Sequence, residues 1–92
     1  MQKRHTDRQR YFLEQEITTR KYVFPFIGKH KEITPGMRIL EIGCGEGGNL
    51  KPFLDAGCWV TGIDLSEHKI YLALAFFQDH PHREQLQLLC ED

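Results

Sequence analysis

The spacing of apolar residues changes near residue 36, from a helical repeat to short apolar runs. Before that point, apolar residues recur every three to four positions over about 6–20, as in an amphipathic helix: Phe12, Leu13 and Ile17. A second helical stretch covers about 21–33, and Pro25 is expected to kink or break it. We predict an N-terminal helical segment over 1–36 that ends at the turn Thr34-Pro35-Gly36.

Short apolar runs alternate with helical patterns after residue 36. The predicted strands cover Arg38–Ile42, Trp59–Ile63 with Asp64 at its end, and Leu86–Cys90, and the predicted helices between them cover Asn49–Ala56 and Glu67–Asp79. Ser66 is expected to cap the second of these helices. Strands that alternate with helices form parallel sheets with right-handed crossovers. The chain is therefore predicted to have an α/β fold with a parallel sheet.

Length and composition restrict the class of protein. A chain of 92 residues has room for one small domain, and its 40% apolar and 27% charged residues are typical of a globular protein. No apolar run is long enough to span a membrane, and the basic N-terminus leads into no signal-peptide core. The odd number of cysteines, without CxxC spacing, indicates reduced thiols: Cys44, Cys58 and Cys90. We therefore expect a cytoplasmic protein without a membrane partner.

Charge is unevenly distributed along the chain, although the net charge is only −1. Residues 1–38 hold nine Lys/Arg and four Asp/Glu, whereas residues 39–92 hold three and nine. A basic N-terminal segment could attract a nucleic acid. Apolar residues interleave these charges, however, so the sequence favours a solvated amphipathic helix over a nucleic-acid surface.

Twelve residues from Ile39 to Leu50, ILEIGCGEGGNL, join the first predicted strand to the next helix. Such a turn lies at the carboxyl edge of a parallel sheet, where ligands bind in open α/β folds. Glycines there let the backbone approach a ligand, and the following helix offers unpaired N–H groups: Gly43, Gly45, Gly47 and Gly48. Asp64, at the end of the second strand, is placed to accept hydrogen bonds from a ribose diol.

The glycine spacing fits two nucleotide-binding templates. Gly43 to Gly48 satisfies G-x-G-x-x-G, the dinucleotide fingerprint, and Glu41 to Gly47 satisfies E-x-G-x-G-x-G. Glu41 discriminates between them, because a carboxylate would repel a pyrophosphate beside this turn. A carboxylate suits a cofactor that has positive charge and no phosphate, such as S-adenosylmethionine with its ammonium and sulfonium groups.

The two motifs of this region, ILEIGCGEGGNL and VTGIDLS, closely resemble the first two motifs of class I S-adenosylmethionine-dependent methyltransferases, over about residues 37–92. The resemblance implies that Glu41 lies by the methionine moiety and that Asp64 binds the ribose hydroxyls. It also implies that Leu65 packs near adenine and that Asp92 contacts the adenine amine. The cofactor-binding residues implied in this way are Glu41, Gly43, Gly45, Gly47, Asp64, Leu65 and Asp92.

The resemblance also implies a Rossmann-like fold, in which seven strands have the order 3-2-1-4-5-7-6. This chain ends after the third strand, so the expected sheet has the order 3-2-1 and is truncated relative to the family fold. Residues 37–92 would form the first half of the S-adenosylmethionine-binding domain. The apolar first strand would then have an open edge, and self-association as a homodimer is expected. Without the later strands the chain alone is not expected to catalyse methyl transfer, and no catalytic residue is assigned.

Three functions stay open at this point. The first is the cofactor half of a methyltransferase whose acceptor is unidentified, with a small molecule as the favoured class. The second is a fragment of a nicotinamide-dependent oxidoreductase, against which Glu41 argues. The third is a non-catalytic interaction module with the same fold.

Other polar residues give weaker signals. His80 and His82 have no Cys or carboxylate at metal-ligand spacing, so no metal site is predicted. Cys44, near a helix N-terminus, is either a reactive thiol or simply a small residue that fits the loop. Tyr11 and Arg20 on the N-terminal helix could reach the cofactor, although packing against the sheet is the favoured interpretation.

Overall fold

The computed structural model describes residues 7–91 of the chain. The elements in chain order are α1 (Arg8–Thr18), a π-helical turn (Thr19–Val23), α2 (Phe24–His30), β1 (Arg38–Ile42), α3 (Lys51–Asp55), β2 (Trp59–Asp64), α4 (Glu67–Phe77), a 3-10 turn (Arg83–Gln85) and β3 (Leu86–Cys90). Within these residues, no helix is both long enough and apolar enough to cross a membrane.

The three strands form one parallel sheet in which β2 lies between β1 and β3. The register places Glu41 beside Gly62, and Ile63 lies between Ile42 and Leu89. The predicted Rossmann-like α/β fold with strand order 3-2-1 is confirmed. The predicted bounds of β1 and β3 are also confirmed, and β2 includes Asp64 as its last residue.

Helices cover only one face of the sheet. Side chains alternate along a strand, so Val60 of β2 points into the core with Leu54 of α3 and Phe77 of α4, all nearly inaccessible to solvent. On the opposite face the side chains of Leu40 and Ile42 are 60% and 78% exposed. The covered face holds the hydrophobic core, and the other face is apolar and open.

The N-terminal segment is helical through α1, the π turn and α2. Of the two expectations for Pro25, the break is wrong, because α2 begins at Phe24 and continues through Pro25 to His30. A π turn comes just before it, and the Phe24 N–H bonds to the Thr19 carbonyl. The expected kink stays a prediction. The wide turn absorbs one extra residue, so Phe12, Thr19 and Ile27, spaced by seven and then eight residues, all reach the core side. The N-terminal helix therefore packs on the same core as the sheet.

The two helices between the strands are shorter than predicted. Helix α3 covers Lys51–Asp55 rather than Asn49–Ala56, and Gly57 follows it with φ +87°, as a helix-terminating glycine does. Ser66 caps α4 as predicted, and its Oγ accepts a hydrogen bond from the Lys69 N–H at 3.2 Å. Helix α4 ends at Phe77, two residues early, because the chain tightens into a turn there.

Candidate cofactor site at the carboxyl edge of the sheet

The glycine-rich loop follows β1 and folds back over the end of β2. The N–H groups of Gly43 and Cys44 both donate to the carbonyl of Ile63, at 2.7 and 3.1 Å. The loop is therefore attached to the carboxyl edge of the sheet, as its position in the sequence predicts.

Glycine is needed in this loop for two different reasons, open space beside the backbone and close packing. Gly43 and Gly45 have φ +78° and +55°, and a Cβ atom built on either would meet no other atom within 4 Å. Their backbone thus faces open space that a ligand could enter. Gly47 has φ +87°, but its Cβ would lie 2.9 Å from the ring of Phe77. Gly47 is needed for packing against α4, and its cofactor contact stays a prediction.

Asp64 accepts a backbone hydrogen bond on each carboxylate oxygen, and one of the two comes from the glycine-rich loop. Its Oδ2 accepts from the Gly45 N–H and its Oδ1 accepts from the Ser66 N–H, each at 2.9 Å. Partial burial raises the pKa of Asp64, but these hydrogen bonds and the charge of Lys69 outweigh it and lower the pKa below its ordinary value. Asp64 is therefore ionised near neutral pH, and each oxygen keeps a further lone pair for a ribose hydroxyl.

Glu41 has one paired and one unpaired carboxylate oxygen. Its Oε2 accepts from Asn49 Nδ2 at 3.1 Å, whereas Oε1 is buried and has no hydrogen-bond partner. Burial raises the pKa of Glu41 and the charge of Asp64 raises it further, although the bond from Asn49 lowers it. An unpaired buried acceptor costs about 1–3 kcal/mol, so this oxygen is suited to a cationic donor such as an ammonium group.

The pKa of the Cys44 thiol reflects the negative charge around the loop. The thiol is buried, and burial together with the carboxylates of Glu41, Asp64 and Glu46 raises its pKa to about 11. The thiol is therefore protonated near neutral pH, which supports the interpretation of a small packing residue over a reactive thiolate. The carboxylates of Glu41 and Asp64 would repel a pyrophosphate and attract a cation.

Sequence reasoning placed Gly48 in the loop, but it missed the roles of Glu46 and of Gly62 in β2. Glu46 is fully buried and forms an ion pair with Arg8 of α1, whose Nε lies 2.6 Å from Oε1. A Cβ on Gly48 would clash with the Phe12 carbonyl, and a Cβ on Gly62 would lie 2.8 Å from the sulfur of Cys44. The glycine spacing was a signal for Gly48, but no local pattern pairs residues 38 positions apart.

The predicted adenosine side of the site is an open cavity of about 350 Å³ beyond β1 and β2. It is lined by Ile42, Gly43, Ile63, Asp64, Leu65 and Glu91. Leu65 is 70% exposed and lies on this cavity, next to the backbone of Gly43. The structure therefore brings Glu41, Gly43, Gly45, Asp64 and Leu65 to one edge of the sheet, while Asp92 lies outside the described residues.

Of the two residues on the N-terminal helix that the sequence suggested for the site, one lies near the loop and the other does not. Tyr11 lines a smaller cavity of about 220 Å³ together with Gln15 and Asn49, so it does lie near the loop. Arg20 pairs with Glu16 and with Asp55 of α3 instead of approaching the loop. Within residues 7–91, no group of three or more His, Cys, Asp or Glu side chains is arranged to hold a metal ion.

An open parallel sheet with an acidic, glycine-rich loop at its carboxyl edge is typical of enzymes that bind a positively charged nucleoside cofactor. A family model described as a methyltransferase domain matches residues 7–89, and the chain belongs to this family. The match includes α1, so it begins well before the resemblance over about 37–92. A sequence search against curated proteins finds no match for the chain.

Solved structures share the fold. The S-adenosylmethionine-dependent methyltransferase from Geobacter sulfurreducens, in complex with S-adenosyl-L-homocysteine, is 26% identical, with a TM-score of 0.63 over 74% of this chain and 28% of that one. Phosphoethanolamine N-methyltransferase 2 of Haemonchus contortus, in complex with S-adenosyl-L-methionine, is 26% identical, with a TM-score of 0.55 over 74% of this chain and 16% of that one.

A third structure, the glycopeptide N-methyltransferase MtfA complexed with S-adenosyl-L-methionine, is 24% identical, with a TM-score of 0.62 over 84% of this chain and 29% of that one. At that identity the likeness shows the fold alone. The chain spans less than a third of the length of each of these three structures.

Proposed function

We propose that this chain forms the cofactor-binding half of an S-adenosylmethionine-dependent methyltransferase. The observation that supports this most directly is the buried Oε1 of Glu41, an acceptor without a partner near the end of β1, the strand that leads into the open backbone of Gly43 and Gly45. In this proposal Glu41 accepts a hydrogen bond from the cofactor ammonium, Asp64 accepts from the ribose hydroxyls, and Leu65 packs near adenine. Membership of the methyltransferase-domain family supports the same assignment.

The residues of this chain bind and orient the cofactor. When bound, S-adenosylmethionine supplies an electrophilic methyl group for in-line displacement. The parallel pairing of β1 and β2 fixes Glu41 relative to Asp64, so in this proposal it sets where the two ends of the cofactor lie, and catalysis by proximity depends on such placement. We assign no general base, and we propose that the chain alone does not transfer a methyl group, since it covers only 29% and 28% of two of its solved relatives.

The acceptor, the location and the assembly are proposals of the same kind. A small-molecule acceptor is supported by the phosphoethanolamine N-methyltransferase among the structural relatives. A cytoplasmic location is consistent with three free cysteines, Cys44, Cys58 and Cys90. A homodimer through β1 is supported by the exposure of Leu40 and Ile42 on that strand, and sedimentation velocity that finds only monomer at high concentration would contradict it.

A nicotinamide dinucleotide is the alternative cofactor for this loop. The carboxylates of Glu41 and Asp64, both close enough to raise the pKa of Cys44, oppose a pyrophosphate at this position. The proposal is tested by titrating the 15N-labelled chain with S-adenosylhomocysteine and, separately, with NAD. Saturable amide shifts at Gly43, Gly45 and Asp64 with S-adenosylhomocysteine alone are expected. Saturable shifts at these residues with NAD would assign the site to a dinucleotide and overturn the proposal.

A further inference from the structure

Thr19, the first residue of the π turn, points a hydroxyl into the protein although most of its neighbours on the helix are exposed. Its side chain is 97% buried, and its Oγ1 donates a hydrogen bond to Asn49 Oδ1 at 2.8 Å. Asn49 lies in the glycine-rich loop, 30 residues further along the chain. Thr19 lies seven residues, about two helical turns, after buried Phe12, so the regular phase of α1 gives it this inward position, and the π turn shifts only the residues that follow.

Asn49 connects Thr19 to the carboxylate of Glu41 through hydrogen bonds. Its amide oxygen is occupied by Thr19, so its Nδ2 faces Glu41 and donates to Oε2 at 3.1 Å. An amide rotated by half a turn would present its oxygen to the carboxylate, and two acceptors would then repel each other. Because the Glu41 carboxylate can only accept, it sets the amide orientation with Nδ2 toward Oε2, and the Thr19 hydroxyl holds Asn49 in that place by donating to its Oδ1.

The three side chains belong to one cavity as well as to one hydrogen-bond chain. Thr19, Glu41 and Asn49 all line a cavity of about 340 Å³ beside the free edge of β1. Because Oε2 of Glu41 is held by Asn49, the buried Oε1 is the oxygen left for a ligand. Asn49 thus positions Oε2 of Glu41, and Oε1 is the oxygen available to a ligand.

We propose that Thr19 and Asn49 are positioning residues, which hold the Glu41 carboxylate ionised and oriented so that Oε1 meets the ammonium group of the cofactor. This inference rests on the proposed function. It assigns the N-terminal helix a role in the site through Thr19, where the sequence analysis considered only Tyr11 and Arg20.

Other groups near Glu41 act against its ionisation. Burial raises its pKa, and the carboxylate of Asp64 at the end of β2 does the same. Cys44 is a protonated thiol, and Arg20, next to Thr19, is paired with Glu16 and Asp55. The hydrogen bond from Asn49 is the influence that lowers the pKa of Glu41, so its loss is expected to raise that pKa further.

The first test follows the Glu41 carboxyl carbon by 13C NMR as a function of pH in the ligand-free chain. Thr19→Val keeps the shape of the side chain and removes the donor, so Glu41 is expected to titrate at higher pH than in the wild type. Thr19→Ser keeps the donor and is expected to titrate as the wild type does. Equal titration of Glu41 in Thr19→Val and the wild type would overturn the inference.

A second variant tests the relay and covers the case in which Thr19→Val does not fold. Asn49→Ala removes the amide, so it is also expected to move the Glu41 titration to higher pH. If Thr19 acts only through Asn49, the double variant titrates as Asn49→Ala alone does. Additive shifts in the double variant, or a wild-type titration in Asn49→Ala, would contradict the relay.

Binding distinguishes failure of this inference from failure of the proposed function. Calorimetry with S-adenosylhomocysteine at pH 7 is expected to show about fivefold weaker binding for Thr19→Val, the effect of roughly one hydrogen bond, and unchanged binding for Thr19→Ser. A wild type that binds no S-adenosylhomocysteine overturns the cofactor assignment, while the Glu41 titrations still decide the positioning. Unchanged affinity and titration in Thr19→Val, with normal wild-type binding, overturns the positioning alone.

Discussion

The ion pair between Arg8 and Glu46 predicts that one charge on the N-terminal helix controls the stability of the glycine-rich loop. Glu46 is fully buried, and the Arg8 side chain is 19% exposed. Arg8→Met leaves the Glu46 carboxylate without this charged partner in the protein interior. Removing one member of a buried pair costs about 3–5 kcal/mol, and the residual exposure of Arg8 places the expected loss near the lower end.

Urea denaturation followed by circular dichroism measures this effect. At an m-value of about 1 kcal/mol per molar, a loss of about 3 kcal/mol lowers the midpoint by roughly 3 M. Arg10→Met is the matched control, because Arg10 pairs with Glu14 on the exposed surface of the same helix at 3.3 Å. Such surface pairs contribute about 0.3–0.5 kcal/mol, so this control should unfold almost as the wild type does.

A double substitution separates the ion pair from the packing of the Arg8 side chain. Arg8→Met with Glu46→Leu removes both charges, so it is expected to be more stable than Arg8→Met alone. The reasoning is refuted if Arg8→Met loses no more stability than Arg10→Met does. It is also refuted if the double variant is no more stable than the single one.

Two further predictions follow from titratable groups. Burial raises the pKa of Asp55, but hydrogen bonds from His80 and Lys51 outweigh it, so the pKa lies below its ordinary value; stability from Asp55 is therefore present above its unfolded pKa and lost as pH falls through the folded pKa. Acid unfolding of Asp55→Asn should show a shallower loss, and an unchanged acid profile would contradict this. Cys44, with a pKa of about 11, should react with a thiol reagent at pH 8 far more slowly than exposed Cys90; equal rates in single-cysteine variants would show that the loop opens.

Local patterns determine much of this fold. The strands β1 and β3 have the predicted bounds, because short apolar runs between turn residues allow few alternatives. Ser66 also acts as predicted, since helix caps depend on neighbours within a few residues. The phase of the N-terminal helix was not predictable in this way, because the π turn before Pro25 shifts it by one residue and no local pattern marks such a turn.

The site is predictable only as far as its members lie in one motif. Glu41 and Asp64 are marked by strand ends and glycine spacing, so the sequence brings them to one edge. Arg8 reaches Glu46 across 38 positions and Thr19 reaches Asn49 across 30, and no periodicity encodes such pairs. These contacts arise from the packing of α1 on the sheet, which only the folded chain shows.

The central claim is that the unpaired oxygen of Glu41 binds the cationic end of S-adenosylmethionine. Calorimetry with S-adenosylhomocysteine on the wild type, Glu41→Gln and Glu32→Gln tests it most directly, because Glu32 is an exposed carboxylate in the segment before β1. A charge-assisted hydrogen bond contributes about 1.5–3 kcal/mol, so Glu41→Gln should bind roughly 10- to 100-fold more weakly while Glu32→Gln binds as the wild type does. Equal affinities in the wild type and Glu41→Gln would contradict the account.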